Sequence, residues 1–312
     1  MSRTIRRSLC ILLFALTTPA VTTADNTMAS ALDPSGVDLA SVHAAVVDLD
    51  SGDILYRKHE DHAVPIASVT KLMTAMVVLD SGEPLGESLT AVQREDPAPN
   101  NAFTRIRIGS RLPRGDLLRL ALMSSENHAA YLLARHHPGG MPAFVKAMNA
   151  KAKALGMNDT RFVDASGLDT GNRSTAADLL VMLRAADDYA RIREYSQTRR
   201  FQANFRDPHY SLYFGNTNAL VYRDQWQVGL SKTGYLKEAG RCLVMVTEID
   251  GRRLGMVLLD SFGKHSPIGD AGRIRNWLRT GTGGMVAQAA RQYEQRRAAR
   301  FSQTRHADAS AQ

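Results

Sequence analysis

The chain has 312 residues, 44% of them hydrophobic and 6% aromatic, with 39 Lys and Arg against 31 Asp and Glu. That composition excludes a disordered or low-complexity protein. The formal charge of +8 invites an acidic partner, but residues 1–24 carry +3 and residues 282–312 another +3, which leaves +2 for the body. A nearly neutral body with no basic stretch interleaved with aromatics excludes a dedicated nucleic-acid domain.

Arg3, Arg6 and Arg7 precede the apolar run Leu9 to Leu16, and small residues follow to Ala24. These are the three parts of a secretory signal, cleaved after Ala24, and the run is short of the roughly 20 residues that span a bilayer. Cys10 leaves with the signal, so Cys242 remains alone and no internal disulfide is expected. Its place in the strand-like run Cys242-Leu243-Val244-Met245-Val246 reads as a buried structural thiol. Residues 25–40 are polar and small and read as a flexible lead.

Ala44 to Asp48 and Ile54 to Tyr56 flank Asp50-Ser51-Gly52-Asp53, the pattern of a hairpin. From Ile66 the apolar spacing turns helical, with Leu72, Met76 and Leu79, and a second helical stretch is predicted from Asp116 through Ala134. Further helices are expected at about 142–155 and 175–190, the latter capped by Ser174. The middle therefore reads as mainly α. Strands return at Val228 to Lys232, at 241–249 and from Leu254 to Leu259, with Gly251 in the turn between the last two, and a helix near 270–280 carries Trp277. Strands at both ends predict one antiparallel sheet flanked by helices, with the helical insertion as a second lobe. The fold class is α+β, and a site belongs in the cleft between the lobes. In the basic tail 282–312, Val286, Ala290, Tyr293 and Phe301 form an apolar stripe too thin for an in-plane anchor. A solvated or frayed helix is expected there, with at most loose membrane association.

Three short patterns carry chemistry. Ser68-Val69-Thr70-Lys71 opens the first long helix, Ser125-Glu126-Asn127 lies within or at the end of the second helical stretch, and Lys232-Thr233-Gly234 ends a strand. Ser-x-x-Lys turns up by chance on the order of once in a chain this long. Ser261-Phe262-Gly263-Lys264 also fits it, but follows a strand, is broken by Gly263 and has no second pattern downstream. Ser68 is favoured because three residues of helix put Lys71 on the same face. A serine hydroxyl becomes a nucleophile only when a base takes its proton, and a lysine serves only when neutral. At its ordinary pKa about one lysine in a few thousand is neutral at pH 7, so burial and a neighbouring cation, such as Lys232, have to lower it. Lys71 is then the acylation base, Ser125 relays a proton to the leaving amine and Asn127 orients Lys71 or the substrate amide. Lys232 and Thr233 bind a substrate carboxylate, and Gly234 removes a side chain where substrate backbone approaches. The oxyanion falls to the backbone N–H groups of Ser68 and Tyr235.

The three patterns together are the signature of penicillin-binding proteins and class A β-lactamases. Beyond them, the stretches PIASVTKLMTAMVVLD, LALMSSENHAAYLLA, MPAFVKAMNAKAKALGMNDTRFVDASGL, NTNALVYRD and SKTGYLKEAGRCLVMV resemble the low-molecular-mass, type-7 D-alanyl-D-alanine endopeptidases. The resemblance covers about residues 40–281 and implies a β-lactamase/transpeptidase-like fold. It also implies a serine DD-peptidase domain over 41–281 that trims peptidoglycan cross-links in the periplasm, is acylated by β-lactam antibiotics and needs no metal or other cofactor. Glu126 departs mildly from the Asp of the broader signature.

A class A β-lactamase deacylates through a glutamate downstream of the second motif, and no glutamate occurs between Glu126 and Glu194. A DD-carboxypeptidase, which releases terminal D-alanine by the same chemistry, remains the alternative. A non-enzymatic peptidoglycan-holding module predicts broken motifs, and all three are intact. His59-Glu60-Asp61-His62 has the look of a metal pair but lacks a third ligand cluster. His136-His137 reads as a helix end, Asp187-Asp188 as a solvated helix face, and Trp226 and Trp277 as core anchors. His128 is read first as structural, with contact to substrate as the alternative.

Overall fold

Leu39 to Asp48 is an almost unbroken buried run, as expected of a chain covered on both sides. The structure is a computed structural model that describes residues 32–95 and 103–310, with side chains to 299. Every element of the fold belongs to the unit Asp33–Gln312. The expected signal segment and the first residues of the lead lie outside the described residues.

In chain order the elements begin with β1 (Ser41–Asp48), β2 (Ile54–Lys58), β3 (Val64–Pro65), α1 (Lys71–Asp80), β4 (Ser88–Thr90) and β5 (Arg111–Pro113). Next come α2 (Arg114–Met123), α3 (Asn127–Arg135), α4 (Gly140–Ala154), β6 (Arg173–Ser174), α5 (Ala176–Asp187) and α6 (Ala190–Ser196). The remainder is β7 (Arg200–Phe205), β8 (Tyr210–Gly215), β9 (Val228–Leu236), β10 (Gly240–Ile249), β11 (Arg252–Ser261), α7 (Ser266–Thr280) and α8 (Gln288–Ser310). Five strands form one antiparallel sheet in the order β2-β1-β11-β10-β9. Both ends of the chain thus meet in one sheet, the α+β arrangement expected, and β9 is left with an open edge. Helices α5 and α7 pack on the sheet. α1 is buried from Lys71 to Val78 and touches α2, α3, α4, α5 and α6; a helix apolar on nearly every side belongs at the centre of a lobe.

Several expectations need correction. The second helical stretch is two helices, α2 and α3, parted at Ser124-Ser125-Glu126, where Ser125 takes φ = +60°. Glu126 caps α3 by accepting from the His128 N–H at 3.2 Å, so a new helix starts where the apolar pattern runs on. Thr175, not Ser174, caps α5 by accepting from the Asp178 N–H at 3.0 Å, because Ser174 is committed to pairing with Val64. The last motif does not end its strand, since β9 continues to Leu236. The hairpin β7–β8 adds strands to a middle read as mainly α. Its signal was present: Phe201, Ala203 and Phe205 alternate with Arg200, Gln202 and Asn204, the period of a strand.

The lead is not flexible from Asp33 onward. Val37 and Leu39 are buried, and the Trp277 indole donates to Asp33 O at 2.9 Å. Nor is the tail a frayed helix as far as residue 299: Val286 and Ala290 pack with Ala40, and Tyr293 and Arg297 both donate to the buried Asp260 carboxylate at 2.6 Å. A buried carboxylate needs donors, and α8 supplies them. The Phe301 side chain lies outside the described residues. Asp188 is exposed, but Asp187 is buried and ion-paired with Arg253 rather than solvated.

Candidate active site

The stretch that carries Ser68 is held in a costly conformation. Ala67 has φ = +48°, unusual for a residue with a side chain. Gly167 makes room for it: a Cβ at that position, itself at φ = +80°, would stand 1.9 Å from Ala67 O. Ala67–Thr70 is a 3-10 turn that runs into α1. Side chains three apart eclipse in such a turn, which sets Lys71 directly over Ser68.

Lys71 is fully buried, and its Nζ lies 2.8 Å from Ser68 Oγ, 2.7 Å from Asn127 Oδ1 and 2.6 Å from Ser166 O. Asn127 and Ser166 O can absorb the two N–H groups of a neutral amine, which leaves its lone pair for the serine proton. Burial lowers the Lys71 pKa to about 7, opposed by the charges of Asp164 and Glu126 and aided by Arg94. Lys232 is fully buried too and is held well below its ordinary value by burial first and the Lys71 charge second. Burial therefore does most of the work, and the cation that aids it is Arg94 rather than the expected Lys232, whose own value is instead lowered by Lys71.

Ser125, at its left-handed break between helices, accepts from Lys232 Nζ at 2.9 Å, and the same amine donates to Thr233 O at 2.8 Å. The Thr233 hydroxyl lies 2.6 Å from that of Thr217. Gly234 has a role other than the expected one, because what approaches it is the chain's own backbone: a Cβ there would stand 3.1 Å from Ile66 O and 3.2 Å from Ser68 N. Tyr235 projects beyond it with the Arg241 guanidinium 3.7 Å over its ring. Ser68, Ser125, Asn127, Thr233, Gly234 and Tyr235 line one cleft of about 480 Å³, and Lys71 and Lys232 sit buried behind it.

Sequence reasoning missed three contributors. Thr217 follows β8 and is tied to α2 by its N–H to Met123 O at 2.9 Å. Asp164 gathers the N–H groups of Ser166, Gly167 and Asp169 at 2.5, 2.6 and 2.7 Å and so fixes the carbonyl that holds Lys71. The small and polar run Asp164-Ala165-Ser166-Gly167 was the available signal. Arg241 sits opposite Tyr235 on β10.

Other residues fall away from the chemistry. His128 is buried and stacks on Tyr131 with ring centroids 5.7 Å apart. Cys242 has its thiol pushed up to about 12 by burial and stays protonated. Ser261 Oγ is buried against Ser41 Oγ at 2.7 Å. His59 and His62 stack, with His43 edge-on to both, and among the described residues no group of three or more ligating side chains could hold a metal ion. His136, as expected of a helix end, follows the last residue of α3, and Trp277 is fully buried.

A hydroxyl against a buried amine that is half neutral near pH 7, in a cleft beside an open strand edge, defines a class: a serine peptidase with lysine in the place of a histidine base. Residues 26–263 match the D-alanyl-D-alanine carboxypeptidase family, peptidase S11, and the chain belongs to that family. It is 46% identical over 297 residues to the D-alanyl-D-alanine endopeptidase of Escherichia coli strain K12, covering 95% of this chain and 96% of the relative. The D-alanyl-D-alanine endopeptidase of Pseudomonas aeruginosa is 48% identical over 85% of each chain. Among solved structures, the Streptomyces K15 DD-transpeptidase superposes with a TM-score of 0.71 at 26% identity, over 77% of this chain and 97% of that one. A penicillin-binding protein of Listeria monocytogenes with ampicillin bound gives 0.66 at 30% identity, over 78% and 98%. The fold is therefore transpeptidase-like, and the chain is a serine-type DD-peptidase, a hydrolase of peptide bonds.

Proposed function

We propose that this chain is a periplasmic D-alanyl-D-alanine endopeptidase that hydrolyses peptidoglycan cross-links through an acyl-Ser68 intermediate, with 41–281 as its catalytic domain and β-lactams as covalent inhibitors. The observation that carries the reading is the fully buried Lys71 amine, 2.8 Å from Ser68 Oγ. With a pKa of about 7 it is half neutral at neutral pH, against about one in a few thousand for a free lysine.

Lys71 takes the Ser68 proton as Oγ bonds to the D-alanyl carbonyl carbon. The carbonyl electron pair moves to oxygen, and the oxyanion is held by the backbone N–H groups of Ser68 and Tyr235. Collapse breaks the C–N bond, and the leaving amine takes its proton from Lys71 through Ser125. Water then attacks the ester, Lys71 accepts the water's proton, and Ser68 is regenerated when that proton returns to Oγ. Lys232 and Thr233 hold the substrate carboxylate, while the donor peptide adds to the open edge of β9. Asn127 keeps Lys71 Nζ in line. The endopeptidase preference is supported by relatives of that name that match along nearly their whole length, and the periplasmic setting by the signal-like start.

Fluorescent penicillin is expected to label the wild type and Ser261→Ala but not Ser68→Ala; labelling of Ser68→Ala would falsify the nucleophile. Product analysis decides the leaving group. Cross-linked muropeptide dimers are expected to yield monomers, whereas D-alanine released from pentapeptides with dimers left intact would make the enzyme a carboxypeptidase.

A further inference from the structure

The two faces of the hairpin β7–β8 differ in character. Phe201, Ala203 and Phe205 of β7 and Tyr210, Leu212 and Phe214 of β8 pack inward. Arg105 holds that side, donating to Tyr213 O at 2.7 Å with its guanidinium 4.5 Å over the Phe214 ring. The outer face is exposed at every position, with Arg200, Gln202 and Asn204 on β7 and Ser211 and Tyr213 on β8. Gln202 stands opposite Tyr213 and Asn204 opposite Ser211, so an amide lies beside an aromatic ring and an amide–hydroxyl rung follows about 7 Å along. The Ser211 hydroxyl donates to Asn204 Oδ1 at 2.7 Å and Gln202 Nε2 to the same atom at 3.4 Å. That leaves the Gln202 amide oxygen as an acceptor and the Asn204 amide N–H groups as donors.

A merely solvated hairpin has no need of that ring. Tyr213 is 70% exposed, more than any other tyrosine among the described residues, although tyrosine ordinarily buries its ring and shows only its hydroxyl. A flat ring flanked by amides and a hydroxyl, with no acid and one cation on the face, suits a ligand that has apolar C–H faces and many hydroxyl and amide groups. That is the chemistry of an N-acetylated sugar chain. A membrane would ask for several apolar side chains on the face and a polyanion for more cations. The face is also continuous with the reaction site on its leaving side. β8 runs on to Thr217, whose hydroxyl lies 2.6 Å from that of Thr233, and cutting a peptide bond at its carbonyl leaves the carboxylate held by Thr233 on the departing half. Tyr213 stands four residues before Thr217, at most about 13 Å of extended chain. A stem of a few residues, at about 3.3 Å each, covers a like distance from the cut bond back to its sugar.

We infer that the outer face of β7–β8, with Tyr213 at its centre and Gln202 and Asn204 beside it, is a second binding site that holds the glycan of the departing stem, a β-linked chain of N-acetylated hexosamines. This rests on the proposed function and adds the sugar polymer to its substrate. None of the outer-face residues lines the cleft, so the glycan site stays open when Ser68 is acylated. A cross-link presented on its glycan engages both sites and a bare cross-linked peptide only one, which raises the effective concentration of the former at Ser68.

Two measurements on the purified full-length enzyme test this. Chitotetraose, a peptide-free chain of β-linked N-acetylglucosamine, is titrated at millimolar concentration by calorimetry into the free and the penicillin-acylated enzyme. Equal binding to both forms is expected, lost in Tyr213→Ala and kept in Tyr213→Phe, with a thermal melt reporting the fold of each variant. Cleavage is then compared between cross-linked fragments that keep several disaccharide repeats and the same fragments freed of sugar by an amidase. Wild type is expected to show a KM at least about fivefold lower for the glycan-bearing fragments, the worth of one ring contact. Tyr213→Ala is expected to bring that ratio near 1 through KM, with kcat held, and Tyr213→Phe to keep it. No chitotetraose binding, binding lost on acylation or unchanged in Tyr213→Ala, or equal KM for the two substrates in wild type overturns the glycan site. Failure of the functional reading looks different: neither substrate is cleaved and no Ser68-dependent label appears, while chitotetraose still binds.

Discussion

Two regions of this protein bury charge, and they treat it in opposite ways. Behind the cleft, Lys71 and Lys232 are both buried without an ion pair to any described acid; the Lys71 amine rests on hydroxyl, amide and carbonyl oxygens, and the Lys232 amine on a hydroxyl and a carbonyl oxygen. On α7, Asp270 collects the N–H groups of Ala40 and Ser41, the Ser41 hydroxyl and Arg273. Asp260 likewise collects Tyr293 and Arg297. The carboxylates are matched donor for donor and tie chain ends to the sheet. The lysines are left short of counter-charge, which keeps a proton easy to remove. A full partner set makes a buried charge structural, and an incomplete one makes it reactive.

The sharpest way to break this contrast is to remove one member from each side. Lys71→Met keeps the volume and deletes the amine, so penicillin acylation is expected to fall about 10³-fold while the melting temperature holds or rises. Acylation kinetics beside a thermal melt check it; acylation at the wild-type rate in a folded variant would end the assignment of Lys71 as base. Arg297→Ala is expected to do the reverse. It leaves Asp260 buried and short of its cation, with a loss of about 3 kcal/mol in urea unfolding, much of which Asp260→Asn in the same chain recovers. Full stability in Arg297→Ala would mean that α8 is not pinned as described.

A third test probes the support under the nucleophile. Gly167→Ala sets a methyl group into Ala67 O and forces a side chain onto φ = +80°. A loss of roughly 1–3 kcal/mol and acylation more than tenfold slower are expected, measured by urea unfolding and penicillin kinetics. The mildest effect is on pH. Only the neutral amine accepts the serine proton, so the acylation rate is expected to rise between pH 6 and pH 8 with a midpoint near 7. The same depressed value has a stability counterpart. Folded Lys71 gives up its proton more readily than unfolded Lys71, so its burial costs most below pH 7, and the cost fades as pH climbs towards 10.5. Lys71→Met should therefore gain more stability over wild type at pH 6 than at pH 9, and a flat difference would contradict the shift.

Much of this was legible one residue at a time. The hairpin β1–β2, the strands β9 to β11 and the helices α1, α4, α5 and α7 follow from period and punctuation, and Ser68 was separable from Ser261 by its place at a helix start. What escaped was set by neighbours distant in sequence. The break between α2 and α3 hides inside a continuous apolar pattern, because Ser125 bends the chain to meet a lysine 107 residues away. Asp187 looks like a surface acid until Arg253 is laid beside it. The tail looked frayed because its apolar stripe is thin, and nothing local shows that Asp260 waits for Tyr293 and Arg297.

The sequence by itself determined the chemistry available: three ordered motifs, the spacing that puts an amine over a hydroxyl, and a body of low net charge between basic ends. Only the tertiary structure decided the state of that chemistry. The Lys71 pKa depends on what surrounds the amine, and its surroundings, Asn127, Ser166 and Asp164, come from other segments. Short-range pattern records the angle at which a side chain leaves its helix or strand. Dielectric, counter-charge and close backbone approach are sums over everything that folds against it.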